Sequence, residues 1–82
     1  MTKKRYIIYG REGCPYCSFT QDFCAASDLP VVYLDYTNHT DALKDCMDFY
    51  KMKTVPVILE NDLTTGHTRL VGGYTDLLDF LK

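Results

Sequence analysis

Cys14 and Cys17 are separated by Pro15 and Tyr16, in the run Gly10-Arg11-Glu12-Gly13-Cys14-Pro15-Tyr16-Cys17. Pro15 suits the first position of a helix, where its missing N–H costs nothing. Cys14 then stands at that helix's N-terminus, where unpaired N–H groups and the positive end of the dipole favour an anion. A thiol so placed gives up its proton more readily, and the thiolate is the reactive form. Joining Cys14 to Cys17 closes too short a loop to constrain the unfolded chain, so the pair is a poor structural staple. It points instead to thiol–disulfide exchange.

The remaining two of the four cysteines, Cys24 and Cys46, fall on apolar helix faces and read as small core hydrophobes. A structural zinc site commonly draws on two close pairs of ligands. Cys24 and Cys46 are not close in sequence, and His39 and His67 have no partner at metal or catalytic spacing. No metal is expected.

The elements that must hold this pair follow from periodicity. Residues 5–9 are β-branched and aromatic, and Gly10 and Gly13 supply a turn before the helix. The helix should run from Pro15 to about Ala26, with Thr20, Phe23, Cys24 and Ser27 on one face. Asp28-Leu29-Pro30 ends it. Residues 31–35 are nearly all apolar and predict a second strand covered on both faces. Capping residue types at 37–40 introduce a second helix, whose stripe is Leu43, Cys46, Met47 and Tyr50.

A third strand is expected over 55–59, with Pro56 at its start, where a missing donor is tolerated. Glu60 to Gly66 reads as a polar connection and 68–71 as a fourth strand, which Gly72-Gly73 breaks. Leu77, Leu78 and Leu81 mark a closing helix capped by Thr75 or Asp76. Tyr6, Tyr9, Tyr33 and Tyr50 are assigned to packing. The order is β-α-β-α-β-β-α, an α/β chain with a four-stranded mixed sheet and helices on both faces.

Eighty-two residues predict a single domain, 1–82, with a modest core. A net charge of −2 gives no case for nucleic acid. The one basic run, Lys3-Lys4-Arg5, reads as a solvated flank. No segment approaches the ~20 apolar residues of a membrane span, and no apolar stretch follows Met1 as in an export signal. A cytoplasmic location is expected, where thiols stay reduced.

Three segments in order carry a family resemblance: Cys14-Pro15-Tyr16-Cys17, Thr54-Val55-Pro56 and Gly72-Gly73-Tyr74-Thr75-Asp76. Over nearly its whole length the chain resembles a dithiol glutaredoxin, and the resemblance implies the thioredoxin-like fold. It also implies an exposed nucleophile at Cys14, a more buried resolving thiol at Cys17 and a cis Val55–Pro56 bond. Glutathione is the implied co-substrate, paired with Val55 backbone groups as a β-strand addition. Its γ-glutamyl end would meet Thr75 and Asp76, and its glycine carboxylate Arg11 or Lys53. Tyr16 and Tyr74 would wall the groove, with Gly73 allowing close approach. The residues alone leave Arg11 and Lys53 open between surface charge and ligand contact, and Asp76 open between helix cap and ligand contact.

The implied activity is glutathione-dependent reduction of protein disulfides and protein–glutathione mixed disulfides, with ribonucleotide reductase among the candidate acceptors and the protein acting as a monomer. Glutaredoxins that bridge a [2Fe–2S] cluster usually lack the second cysteine or the proline, so Pro15 and Cys17 argue against that role. Short redoxins fed by thioredoxin reductase carry Trp-Ser-Gly-Phe near the end. This chain has no Trp and reads Gly73-Tyr74-Thr75-Asp76 there, which favours glutathione.

Overall fold

Along Lys4–Gly10 every second residue from Tyr6 onward (Tyr6, Ile8, Gly10) is buried and its neighbours are half-buried, the period of an extended chain with one dry face. This is β1 of the computed structural model, which describes residues 3–81; Met1, Thr2 and Lys82 of the expected 1–82 domain lie outside the described residues. There follow α1 (Pro15–Ala26), β2 (Val31–Asp35), α2 (Thr40–Phe49), β3 (Val57–Asp62), β4 (Thr68–Gly72) and α3 (Tyr74–Phe80). The strands form one mixed sheet in the order β2-β1-β3-β4. β1 runs parallel to β2 and antiparallel to β3, and β3 and β4 are antiparallel. The element order and the mixed α/β sheet are those expected.

Register decides which side chains share a face. Ile8 lies opposite Ile58 on β3 and Tyr33 on β2. Cys24 of α1 and Leu77 of α3 close over that face, making a core with Tyr6, Ile8 and Ile58. Ile8, Ile58 and Leu77 are fully buried, and each such side chain contributes about 1.5–3 kcal/mol relative to exposure. The opposite face carries Tyr9, Val57 and Leu59. There α2 buries Leu43 and brings Cys46 and Tyr50 beside Tyr9.

Three expectations need correction. β2 is an edge strand with no fully buried residue, so its apolar run does not mean cover on both faces. β3 starts at Val57 and runs on through Asp62, so Glu60 and Asn61 are strand rather than connection. Their polarity is satisfied in place. Glu60, 5% exposed, accepts from the Tyr6 hydroxyl at 3.1 Å and Arg69 Nε at 3.0 Å, with Lys4 Nζ at 3.5 Å. Asn61 accepts from Arg5 Nε at 2.9 Å and donates to Thr68 Oγ1 at 2.9 Å. Lastly, α3 starts at Tyr74 with Gly73 as its N-cap; Asp76 lies in the first turn and reaches back to accept from the Gly73 N–H at 2.9 Å.

Candidate active site

The turn after β1 delivers Cys14 to the N-cap of α1 in extended backbone geometry, with Pro15 starting the helix. A positive φ at Gly13 makes that turn, a conformation glycine adopts without steric cost. Cys14 Sγ accepts a hydrogen bond from the Cys17 N–H at 3.2 Å, so one of the helix's orphan donors points at sulfur. Across the site, the Val55 carbonyl lies 3.7 Å from Cys14 Sγ. The Val55–Pro56 peptide is cis. Cys14 is only 8% exposed, a correction to the expected open nucleophile, although Cys17 is more deeply covered at 2%.

Cys17 differs from Cys14 in chemistry as well as depth. Burial first, and then the hydrogen bond with Cys14, push its thiol up to about 11, so it is protonated at neutral pH. Two donors oppose this: the Arg11 backbone N–H and the Tyr33 hydroxyl, both placed to stabilise a Cys17 thiolate. Tyr33 reaches the sulfur past Gly10. A Cβ on Gly10 would lie 2.5 Å from the Tyr33 hydroxyl oxygen and 2.9 Å from Cys17 Sγ, so only glycine leaves the two groups this room.

Two adjoining clefts form a groove beside this pair. One, of about 320 Å³, exposes Cys14 between Arg11, Tyr16, Lys53, Thr54 and Val55. The other, of about 240 Å³, continues past Thr54, Val55 and Pro56 to Gly73, Tyr74, Thr75 and Asp76. Tyr16, Thr54 and Val55 belong to both and mark their junction. Of the residues expected to act in catalysis or binding, all but Cys17 line this groove. The groove is cationic at the Arg11 and Lys53 end and carries Asp76 at the other. The Val55 N–H has no acceptor among the described residues, which leaves it available to an extended peptide.

Some contributors were not singled out. Phe19 packs edge-on against Tyr16 at 5.8 Å and tilted against Tyr74 at 6.0 Å, completing an aromatic wall. Its position three residues after Tyr16 was the available signal. Met52, Leu43 and Met47 also line the clefts. Tyr33, expected only to pack, is put beside Cys17 by strand register, which is invisible before pairing is known. The demanding glycine near α3 is Gly72 rather than Gly73: its φ is +124°, and a Cβ there would collide with the Asp76 carboxylate. Around Gly73 a Cβ would make only ordinary contacts, from 3.8 Å outward. Cys24 is buried and its thiol is raised by that burial; Cys46 is half-buried. No group of three or more His, Cys, Asp or Glu residues among the described residues is placed to hold a metal ion. No described helix is long and apolar enough to cross a membrane.

No family model and no curated protein matches the chain. Among solved structures it is similar to the solution structure of glutaredoxin from Brucella melitensis. The TM-score is 0.66 and the identity 21%, over 94% of this chain and 77% of that one. At that identity the likeness speaks for architecture alone, and it agrees with the mixed four-stranded sheet and three helices described above. The chain has a glutaredoxin-like, thioredoxin-type fold.

Proposed function

We propose that this protein is a thiol–disulfide oxidoreductase that draws its electrons from glutathione, reducing protein disulfides and protein–glutathione mixed disulfides. The observation that carries the reading is Cys14 Sγ, held at a helix N-cap by the Cys17 N–H and opening onto a groove that runs past Val55. The groove suits a short extended peptide with charged ends. Val55 offers backbone pairing, Arg11 and Lys53 suit the glycine carboxylate, and Asp76 with the first-turn N–H groups of α3 suits the α-amino and α-carboxylate groups. Tyr16 and Tyr74 confine it laterally, and Gly73 leaves the backbone open. On this reading the protein works as a monomer in a reducing cytoplasm, with ribonucleotide reductase as one candidate acceptor.

In the one-thiol route the Cys14 thiolate attacks the glutathione sulfur of a protein mixed disulfide. The substrate's sulfur leaves with the electron pair and takes up a proton. Cys14 then carries glutathione until a second glutathione thiolate attacks that sulfur, forming glutathione disulfide and freeing Cys14. In the two-thiol route Cys14 attacks a protein disulfide, and Cys17, after losing its proton to solvent, attacks Cys14 Sγ. The substrate leaves as a dithiol and a Cys14–Cys17 disulfide remains, which two glutathione molecules reduce. Cys17 stays a thiol until this second attack, because burial keeps it protonated at neutral pH.

The test is disulfide reduction coupled to NADPH oxidation, with glutathione and glutathione reductase in one arm and thioredoxin reductase in the other. Turnover is expected only in the glutathione arm. Turnover only with thioredoxin reductase would overturn the choice of electron donor, and none in either arm would overturn the enzyme.

A further inference from the structure

The packing of Tyr33 against the redox pair has more to it than core filling. Tyr33 sits on β2 opposite Ile8, on the face that α1 covers. Gly10 lies farther along β1 on that same face, and its missing side chain opens a gap. The Tyr33 hydroxyl and Cys17 Sγ converge on the gap from opposite elements, one on an edge strand and the other on a helix. A tyrosine whose hydroxyl is brought to a buried sulfur can do what solvent cannot do there: hydrogen-bond a negative charge as it forms.

We propose that Tyr33 is a catalytic residue of the two-thiol route, its hydroxyl donating a hydrogen bond to the Cys17 thiolate and stabilising it both as attacking group and as leaving group. This rests on the oxidoreductase reading above but not on the identity of the electron donor. When the disulfide is reduced, a thiolate from the reductant attacks Cys14 Sγ and forms a bond to it. The Cys14–Cys17 bond breaks, and its electron pair goes to Cys17 Sγ, which afterwards takes a proton from water. That charge appears in a site 2% exposed to solvent, where, among the described residues, the Arg11 N–H and the Tyr33 hydroxyl are the donors placed to meet it. The hydroxyl remains protonated throughout the working range, because burial and the neighbouring Cys17 push it up to about 12. A more basic leaving thiolate departs more slowly and a more basic thiol is less often ionised for attack, so both directions gain from the bond.

The experiment follows pre-formed Cys14–Cys17 disulfide as dithiothreitol reduces it, comparing the native chain with Tyr33→Phe, which keeps the ring. Because a shift in sulfur basicity is only about half transmitted to exchange rates, loss of a charge-assisted hydrogen bond should slow this step about three- to tenfold. The pH profile for closure of the Cys14–Cys17 bond should move to higher pH in the variant. In Gly10→Ala, where a methyl group comes between hydroxyl and sulfur, the same step should slow. Unchanged reduction rate and pH profile in Tyr33→Phe would overturn the proposal. So would a slower rate with an unmoved profile, since packing loss alone would give that. Because dithiothreitol replaces glutathione here, a chain that fails with glutathione yet shows the Tyr33 effect would refute the electron donor and leave this role standing.

Discussion

At Cys14 three features meet one sulfur: the helix N-terminus, the Cys17 N–H and the groove along Val55. Cys17 shares the turn but lies one helical turn deeper with its thiol raised to about 11. On the proposed function a division of labour follows from this difference. Cys14→Ser should abolish all turnover. Cys17→Ser should retain deglutathionylation and lose protein-disulfide reduction, read by running both substrates through the coupled assay; equal loss in both variants would contradict it. Alkylation tests the same difference without catalysis. An uncharged thiol reagent at neutral pH should label Cys14 first, and Cys17 and Cys24 only after unfolding, mapped by peptide mass spectrometry. Both cysteine positions were legible in the sequence because a helix start is written locally, in Gly13, Pro15 and their spacing. Tyr33 was not legible: its reach to Cys17 depends on which β2 residue faces Ile8, and pairing register is a long-range property.

Elements were read best where hydrophobic period and punctuation agreed. α1 ends at Ala26 as expected, and the Pro15 start holds. β3 outruns the expected strand at its far end because Glu60, Asn61 and Asp62 have the polarity of a loop, yet Tyr6, Arg5, Arg69 and Thr68 arrive from flanking strands to satisfy the first two. A buried carboxylate is tolerable only with such partners. Removing it should expose the cost: Glu60→Ala leaves the Tyr6 hydroxyl without its acceptor and should destabilise by about 1–3 kcal/mol in urea unfolding. Cys14 alkylation should be unchanged, because Glu60 pairs with Tyr6 rather than at the Gly10 end of the sheet that carries the redox turn. Leu77→Ala acts differently. It empties a fully buried position on α3 and should cost about 2–5 kcal/mol. Because α3 also carries the Tyr74–Asp76 end of the groove, the same variant should weaken tripeptide binding as well, measured by calorimetry.

Across the whole molecule, the fold stores protons on buried acids. Tyr6 rises from 10.0 to about 12, first through burial and then through Glu60; Cys17 rises from 9.0 to about 11 and Tyr33 from 10.0 to about 12, each first through burial. A raised value means the folded chain holds protons that the unfolded chain has released. Stability from these groups is therefore complete below about pH 9 and is lost as pH climbs from there towards 12. Urea midpoints taken across that range should fall steadily, and Tyr6→Phe should flatten the decline; a midpoint constant to pH 12 would contradict the assignment. At this scale the sheet, its helices and the groove together hold one sulfur, that of Cys14, at the wall of a cleft it shares with Arg11, Lys53, Thr54 and Val55. The most direct test is to incubate Cys17→Ser with glutathione disulfide and locate the adduct by mass spectrometry. The account predicts one glutathione per chain, on Cys14; an adduct on Cys24 or Cys46 instead, or none at all, would contradict it.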